Sequence, residues 1–107
     1  MSHSWKITIC RKRSGGGPEF EPAYLVVNKG DQIFWVNNDI DPHWPGLMNA
    51  DGTINETFFM QNQILPSDSS TVFIPGLEGD FTYSCSLHQN EMGRILVYGN
   101  GGGGIGP

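Results

Sequence analysis

Cysteine is scarce: Cys10 and Cys85 are the two in 107 residues, too few for a disulfide scaffold. The two could pair in an oxidising compartment, but Cys85 stands in a metal-ligand spacing, and a thiolate bonded to a metal is not free to oxidise. Cys10 reads as a spare, half-buried thiol near the end of the first strand. Basic residues are few as well, six Lys and Arg against eleven Asp and Glu, for a formal charge of −5. That balance argues against nucleic acid as a partner and suits docking of a basic protein. The one basic run, Arg11-Lys12-Arg13, is broken at once by Ser14-Gly15-Gly16-Gly17 and reads as a solvated turn. Long apolar runs are missing: nothing approaches the ~20 residues of a membrane-spanning helix. The opening MSHSWKITIC lacks the apolar stretch of a secretory signal, which fits an intracellular protein or a chain whose signal has been removed.

What is present is a folding composition. Hydrophobic residues make up 37%, with six Phe, three Trp and three Tyr, and charged residues only 16%, as in a single globular domain. We expect that domain over residues 1–98, followed by a flexible Gly-rich tail over 99–107. Trp5, Ile7 and Ile9 alternate with polar residues, the period of a half-buried strand. Residues 24–28 (YLVVN) and 32–37 (QIFWVN) are further strands, the second of them central by its β-branched and aromatic content. Residues 11–18 form a Gly-rich loop, and 38–56 a long loop dense in Asp, Asn, Pro and Gly, a length associated with function. Short strands are expected at 57–61 and 70–74. Phe81, Tyr83 and Cys85 share one face of another strand, and 94–98 (RILVY) is the last. Strands at such spacing, with turns between, imply an all-β sandwich or barrel.

The chemistry converges on Cys85, His88 and His43. Cys85 ends a strand on its inward face, His88 follows after two residues, and His43 lies in the long loop. One thiolate with two imidazoles suits copper cycling between Cu(I) and Cu(II). Zinc is a weaker fit, because structural zinc takes four closed ligands. A Cys–His nucleophile lacks an orienting carboxylate or amide in the sequence.

Lys29-Gly30-Asp31-Gln32-Ile33-Phe34-Trp35-Val36-Asn37-Asn38 with Pro42-His43, and Gly79-Asp80-Phe81-Thr82-Tyr83-Ser84-Cys85-Ser86-Leu87-His88 with Gly93-Arg94-Ile95-Leu96-Val97, together resemble the cupredoxin family, plastocyanin and amicyanin in particular. The resemblance covers most of residues 20–98. It implies a cupredoxin-like Greek-key β-sandwich of roughly seven to eight strands. It also implies one type 1 copper per chain, held by His43, Cys85 and His88, and a one-electron carrier that is not an enzyme. Redox proteins would dock near His88, the chain would be a monomer, and its compartment periplasmic or otherwise extracytoplasmic. Asn37 and Asn38 would tie the two ligand loops together. A copper-delivery protein, or a red-copper type with an open position for small-molecule chemistry, are the alternatives.

Two departures from the pattern stand out. Trp44-Pro45 follows His43 where the family usually has Asn. The Trp44 N–H remains available to the Cys85 sulfur, and its indole would shield the metal. The axial position is open between two residues: Met92 by counting forward from His88 and by thioether softness, Glu91 by its odd register with Ile95 and Val97. Trp44, Pro45, Leu47, Met48, Leu87 and Met92 are candidates for an apolar docking patch, rimmed by Asp39, Asp41 and Asp51. His3 offers an adventitious Cu(II) site with the amino terminus, or simply a disordered end.

Overall fold

Alternating apolar and polar side chains set the strands, and the computed structural model describes residues 3–11 and 17–99. Among these are eight strands: β1 (Ser4–Arg11), β2 (Pro18–Glu21), β3 (Tyr24–Asn28), β4 (Gln32–Asn37), β5 (Pro45–Met48), β6 (Ile54–Asn55), β7 (Gly79–Cys85) and β8 (His88–Tyr98). They form two sheets, β2-β1-β4 and β3-β8-β7-β5-β6. β1 runs parallel to β4 and β3 parallel to β8, while β7 pairs antiparallel with both β5 and β8. The chain therefore crosses between sheets repeatedly, in the Greek-key manner. No helix among the described residues is long and apolar enough to cross a membrane.

The inward residues of each strand meet between the sheets: Ile7, Ile9, Leu25, Val27, Ile33, Trp35, Tyr83, Ile95 and Val97 are all buried. Trp35 and Tyr83 cross edge to face at 5.5 Å, and Phe20 and Phe59 close on them at 4.8 and 5.0 Å. Such pairs add to the burial they bring. The phenol of Tyr83 lies directly over Gly93, so close that no Cβ fits there. Gly93 is thus the residue that lets β8 pass beneath the aromatic centre.

Several sequence expectations change. The strand 32–37 is not central in its ladder but ends the three-stranded sheet. Its outer edge is covered by the segment expected as a strand at 70–74 together with Ser69 before it, which makes only isolated bridges, Ile33 with Phe73 and Val36 with Ser69. There the Ser70 hydroxyl accepts from the Trp35 N–H at 2.9 Å, so a side chain replaces one rung of the ladder. Residues 57–61 form a turn followed by irregular chain rather than a strand, and it buries Phe59 and Met60. The long loop contains β5 and β6, hidden because Pro-Gly-Leu-Met reads as a turn. β5 runs close to β6, and a Cβ on Gly46 would lie 2.7 Å from the Asn55 carbonyl oxygen. β2 begins at Pro18, inside the expected Gly-rich loop, and Phe20 is its one fully buried side chain. Lys12 to Gly16 of that loop, the tail from Asn100 on and the first two residues lie outside the described residues. His3 is tied to the sheet: its N–H donates to Asp31 at 3.1 Å and its carbonyl accepts from Gln32 at 2.8 Å.

Candidate metal centre

β7 carries Tyr83 and Cys85 inward, both with no exposed surface. The strand then turns into β8 through Ser86 and Leu87 alone, so Cys85 pairs directly with His88. This tight hairpin is why two intervening residues suffice to bring the His88 Nδ1 within 3.5 Å of the Cys85 Sγ. The register jumps from Ser84 opposite Met92 to Cys85 opposite His88, a bulge that leaves residues 89–91 as extra chain on the β8 side. Bulges re-aim side chains, and this one turns Glu91 into the interior, where its side chain is 4% exposed. The Ser84 hydroxyl fixes the bulge by donating to the Glu91 carbonyl at 2.8 Å. Met92, one residue on, points outward and is half exposed.

His43 arrives from the loop that follows β4. Asn37, fully buried, donates from Nδ2 to the carbonyls of Asp41 and Ile64 at 2.8 and 2.9 Å and accepts the Asp39 N–H at 2.9 Å. His43 and Ile64 exchange backbone hydrogen bonds at 3.1 and 2.7 Å. Asn37 therefore ties the His43 loop to Ile64 rather than to the cysteine loop, and Asn38 is exposed, which corrects the role expected for the pair. The loop-to-loop tie is made instead by Trp44: its N–H donates to the Cys85 Sγ at 3.2 Å, as expected, and its carbonyl accepts from Ser86 at 2.9 Å. The Trp44 indole packs against the core.

Four donor groups meet at this end of the sandwich: His43, Cys85, His88 and Glu91, with their ligand atoms all within 4.8 Å of one another. The His43 Nδ1 lies 3.7 Å from the Cys85 Sγ and 2.8 Å from the Glu91 Oε1, and the His88 Nδ1 lies 3.4 Å from the Glu91 Oε2. A transition metal bonds imidazole nitrogen at ~2.0 Å and thiolate at ~2.3 Å, so a nitrogen and a sulfur on one ion stand roughly 3.5 Å apart at tetrahedral and roughly 3.7 Å apart at trigonal angles. The sulfur-to-nitrogen distances match. The Glu91 Oε2 is buried without a hydrogen-bond partner, and a cation held among these donors would satisfy it. The set is geometrically consistent with one mononuclear copper per chain. Of the residues singled out from sequence, the structure brings together His43, Cys85, His88 and Glu91, and leaves Met92 outside.

Asp39 was expected on an exposed rim. It is buried, its side chain 1% exposed, with Oδ2 at 2.8 Å from the His43 Nε2. The inward parity of Ile33, Trp35 and Asn37 runs on to residue 39, and this was the signal in the sequence. Arg11, expected in a solvated turn, grips both Asp39 oxygens at 2.9 Å and reaches Asp41 at 3.0 Å. With Nε2 engaged by Asp39, only Nδ1 of His43 faces the other donors. Burial disfavours charge on His43, but bonds to the Cys85 sulfur, Glu91 and Asp39 outweigh it and push its pKa up to about 10. Burial likewise opposes the Asp39 charge, yet hydrogen bonds from His43 and Arg11 hold its pKa down to about 2. Without metal, His43 is an imidazolium clamped between carboxylates.

The apolar patch is smaller than expected. Pro45 is buried and Trp44, Leu47 and Met48 are only partly exposed, leaving Leu87 (44%) and Met92 (50%) as its open surface. Cys10 is an unpaired thiol, as is Cys85. It sits beside Glu19 and Glu21, and burial followed by those two carboxylates raises its pKa, so it stays protonated and unreactive.

No protein-family model matches the chain. Its sequence is similar to the plastocyanin of Synechococcus sp. (strain JA-2-3B'a(2-13)), 27% identical over an alignment of 88 residues that covers 75% of this chain and 64% of that protein. It is 28% identical over 92 residues to the chloroplastic plastocyanin of Tetradesmus obliquus, covering 77% of this chain and 60% of the relative. The chain thus spans less than two thirds of the length of these curated relatives. Among solved structures it is similar to a purple cupredoxin from Nitrosopumilus maritimus, with a TM-score of 0.73 and 24% identity over 87% of this chain and 98% of that one. A reduced amicyanin variant superposes with a TM-score of 0.67 and 19% identity, covering 89% and 82%. The fold is that of the cupredoxins.

Proposed function

We propose that this chain is a one-electron carrier holding a single copper ion on His43, Cys85, His88 and Glu91. The observation that carries the reading is a buried donor set of one thiolate, two imidazoles and a carboxylate at one end of a cupredoxin sandwich. Copper bound there would supply a Cu(I)/Cu(II) couple. The protein's own residues supply the rest. Cys85 provides a strongly covalent thiolate, and the Trp44 N–H that it accepts draws charge from the sulfur. His43, buried, held at Nε2 by Asp39 and through its backbone by Ile64, keeps its place whatever the charge at the site. His88, whose side chain is 35% exposed, is the edge through which an electron enters or leaves, next to exposed Leu87. Glu91 would be the fourth donor, an anionic oxygen, which would favour Cu(II) and a low potential.

An acidic chain with a small apolar window fits transient encounters with a basic redox protein, with the carrier acting as a monomer in an extracytoplasmic compartment. The delivery alternative fits less well, because handing over the ion would require breaking the doubly braced His43. Absorption spectroscopy of the oxidised, copper-loaded chain tests the proposal. One copper per chain with an intense thiolate-to-copper band supports it, shifted toward green or red by a carboxylate fourth ligand. Colourless copper binding would overturn it.

A further inference from the structure

Behind His43 lies a chain of charges that coordination alone does not require. Arg11 on β1, Asp39 on the loop after β4, and His43 are joined by hydrogen bonds of 2.9, 2.9 and 2.8 Å. The carboxylate is fully buried, whereas the Arg11 side chain is 41% exposed. A fixed anion at 2.8 Å from the rear nitrogen of an imidazole ligand raises the electron density that its front nitrogen can donate. In a low-dielectric setting it also acts on the site as an uncompensated charge would, unless a cation balances it. Arg11 is that cation, placed where solvent screens it and the carboxylate is not screened.

We infer that Asp39 is a positioning and potential-setting residue: through His43 it stabilises the more positive oxidation state of the bound metal, and Arg11 limits how far. This rests on the copper-carrier reading above. The argument concerns a permanent charge. A merely structural Asp39 would orient the ring by accepting the Nε2–H, and an amide oxygen does that equally well.

The test is voltammetry and absorption spectroscopy of the full copper-loaded chain and three variants. Asp39→Asn keeps an acceptor oxygen but removes the charge. It should retain the thiolate-to-copper band and shift the redox equilibrium at least tenfold toward Cu(I), about 59 mV upward for one electron. Arg11→Gln frees the carboxylate charge and should move the potential the other way, by a few-fold in the same equilibrium. In the double variant the Arg11 effect should shrink sharply, because its buried target is gone and only the solvent-screened Asp41 remains beside it. An Asp39→Asn protein that keeps the band and the wild-type potential overturns the inference while leaving the carrier reading intact. If that variant does not fold, an unmoved potential in Arg11→Gln overturns it instead. A wild-type chain lacking the thiolate band overturns both.

Discussion

The two regions that build the metal centre are made on opposite plans. The loop carrying His43 buries Asn37, Asp39 and His43 and ties each of them: Asn37 to two carbonyls and an N–H, Asp39 to Arg11 and His43, His43 to Ile64. The hairpin from Cys85 to Met92 delivers three donor groups within seven residues, and its outer face stays open, with Leu87 and Met92 exposed and His88 partly so. One side of the site is structural and happens to hold a ligand. The other side holds ligands and happens to be a strand end. A metal whose charge changes by one needs a frame that does not move and a window that a partner can reach, and here the two needs are met by different segments.

The largest way to break this contrast is in the hairpin. Cys85→Ala should abolish the intense visible absorption altogether while the sandwich still folds, read by absorbance and far-ultraviolet circular dichroism. Cys10→Ser should leave the spectrum unchanged, since Cys10 lies on β1 with its thiol held protonated. Colour that survives in the alanine variant would remove Cys85 from the site.

In the His43 loop the expected damage is to stability. Asn37→Ala strands the Asp41 carbonyl and the Asp39 N–H, each worth about 1–3 kcal/mol when left unpaired, while the Ile64 carbonyl keeps its bond from the His43 N–H. We expect a loss of roughly 3 kcal/mol in urea unfolding of the metal-free chain. A loss below ~0.5 kcal/mol, the range of a neutral surface change, would mean that this loop is no more structural than the hairpin.

How far the sequence foretold these regions follows from how each residue signals itself. Tyr24–Asn28 and Gln32–Asn37 were legible to the residue because alternation is clean where one face is buried. The ligand spacing Cys85-x-x-His88 was legible because a two-residue hairpin turn leaves a local trace. Glu91 was half legible: its parity pointed inward, but the bulge that realises it has no signature in the sequence. β5 was hidden because Pro45 and Gly46 suppress strand propensity; it forms by pairing with β7, and the two-residue β6 forms by pairing with β5 in turn. Asp39 and Arg11 lie 28 residues apart, and nothing short-range announces an ion pair over that separation. The ordered ends of a site show in sequence, and its long-range braces do not.

A smaller effect separates the regions by pH in the metal-free protein. Burial opposes the His43 charge, but its partners raise its pKa from 6.5 to about 10 in the fold. Its stabilisation is therefore complete below about pH 6.5 and fades as pH rises through about 10. Asp39, lowered from 3.8 to about 2, contributes above pH 3.8 and loses its contribution as pH falls through 2. The urea midpoint of the metal-free chain should thus decline between pH 6.5 and 10, and the decline should flatten in Asp39→Asn. A wild-type midpoint that holds level across that window would show that the His43 side carries no clamped charge.

The finest distinction lies inside the hairpin, between neighbours Glu91 and Met92. One is turned inward by the bulge, with a buried oxygen that makes no hydrogen bond, and the other is half exposed on the opposite face. If Glu91 is the fourth ligand, Glu91→Gln replaces an anionic oxygen by a neutral one. The preference for Cu(II) weakens, so the potential rises and the thiolate band moves toward that of a blue site. Met92→Leu keeps an apolar side chain of similar volume on the surface and should change neither potential nor colour. The two variants, measured side by side by voltammetry, give a definite ranking: a clear rise for residue 91 and none for residue 92. The reverse ranking would require the bulge to rearrange when metal binds, exchanging which of the two residues faces inward. It would then be the hairpin, and not only its exposed surface, that moves.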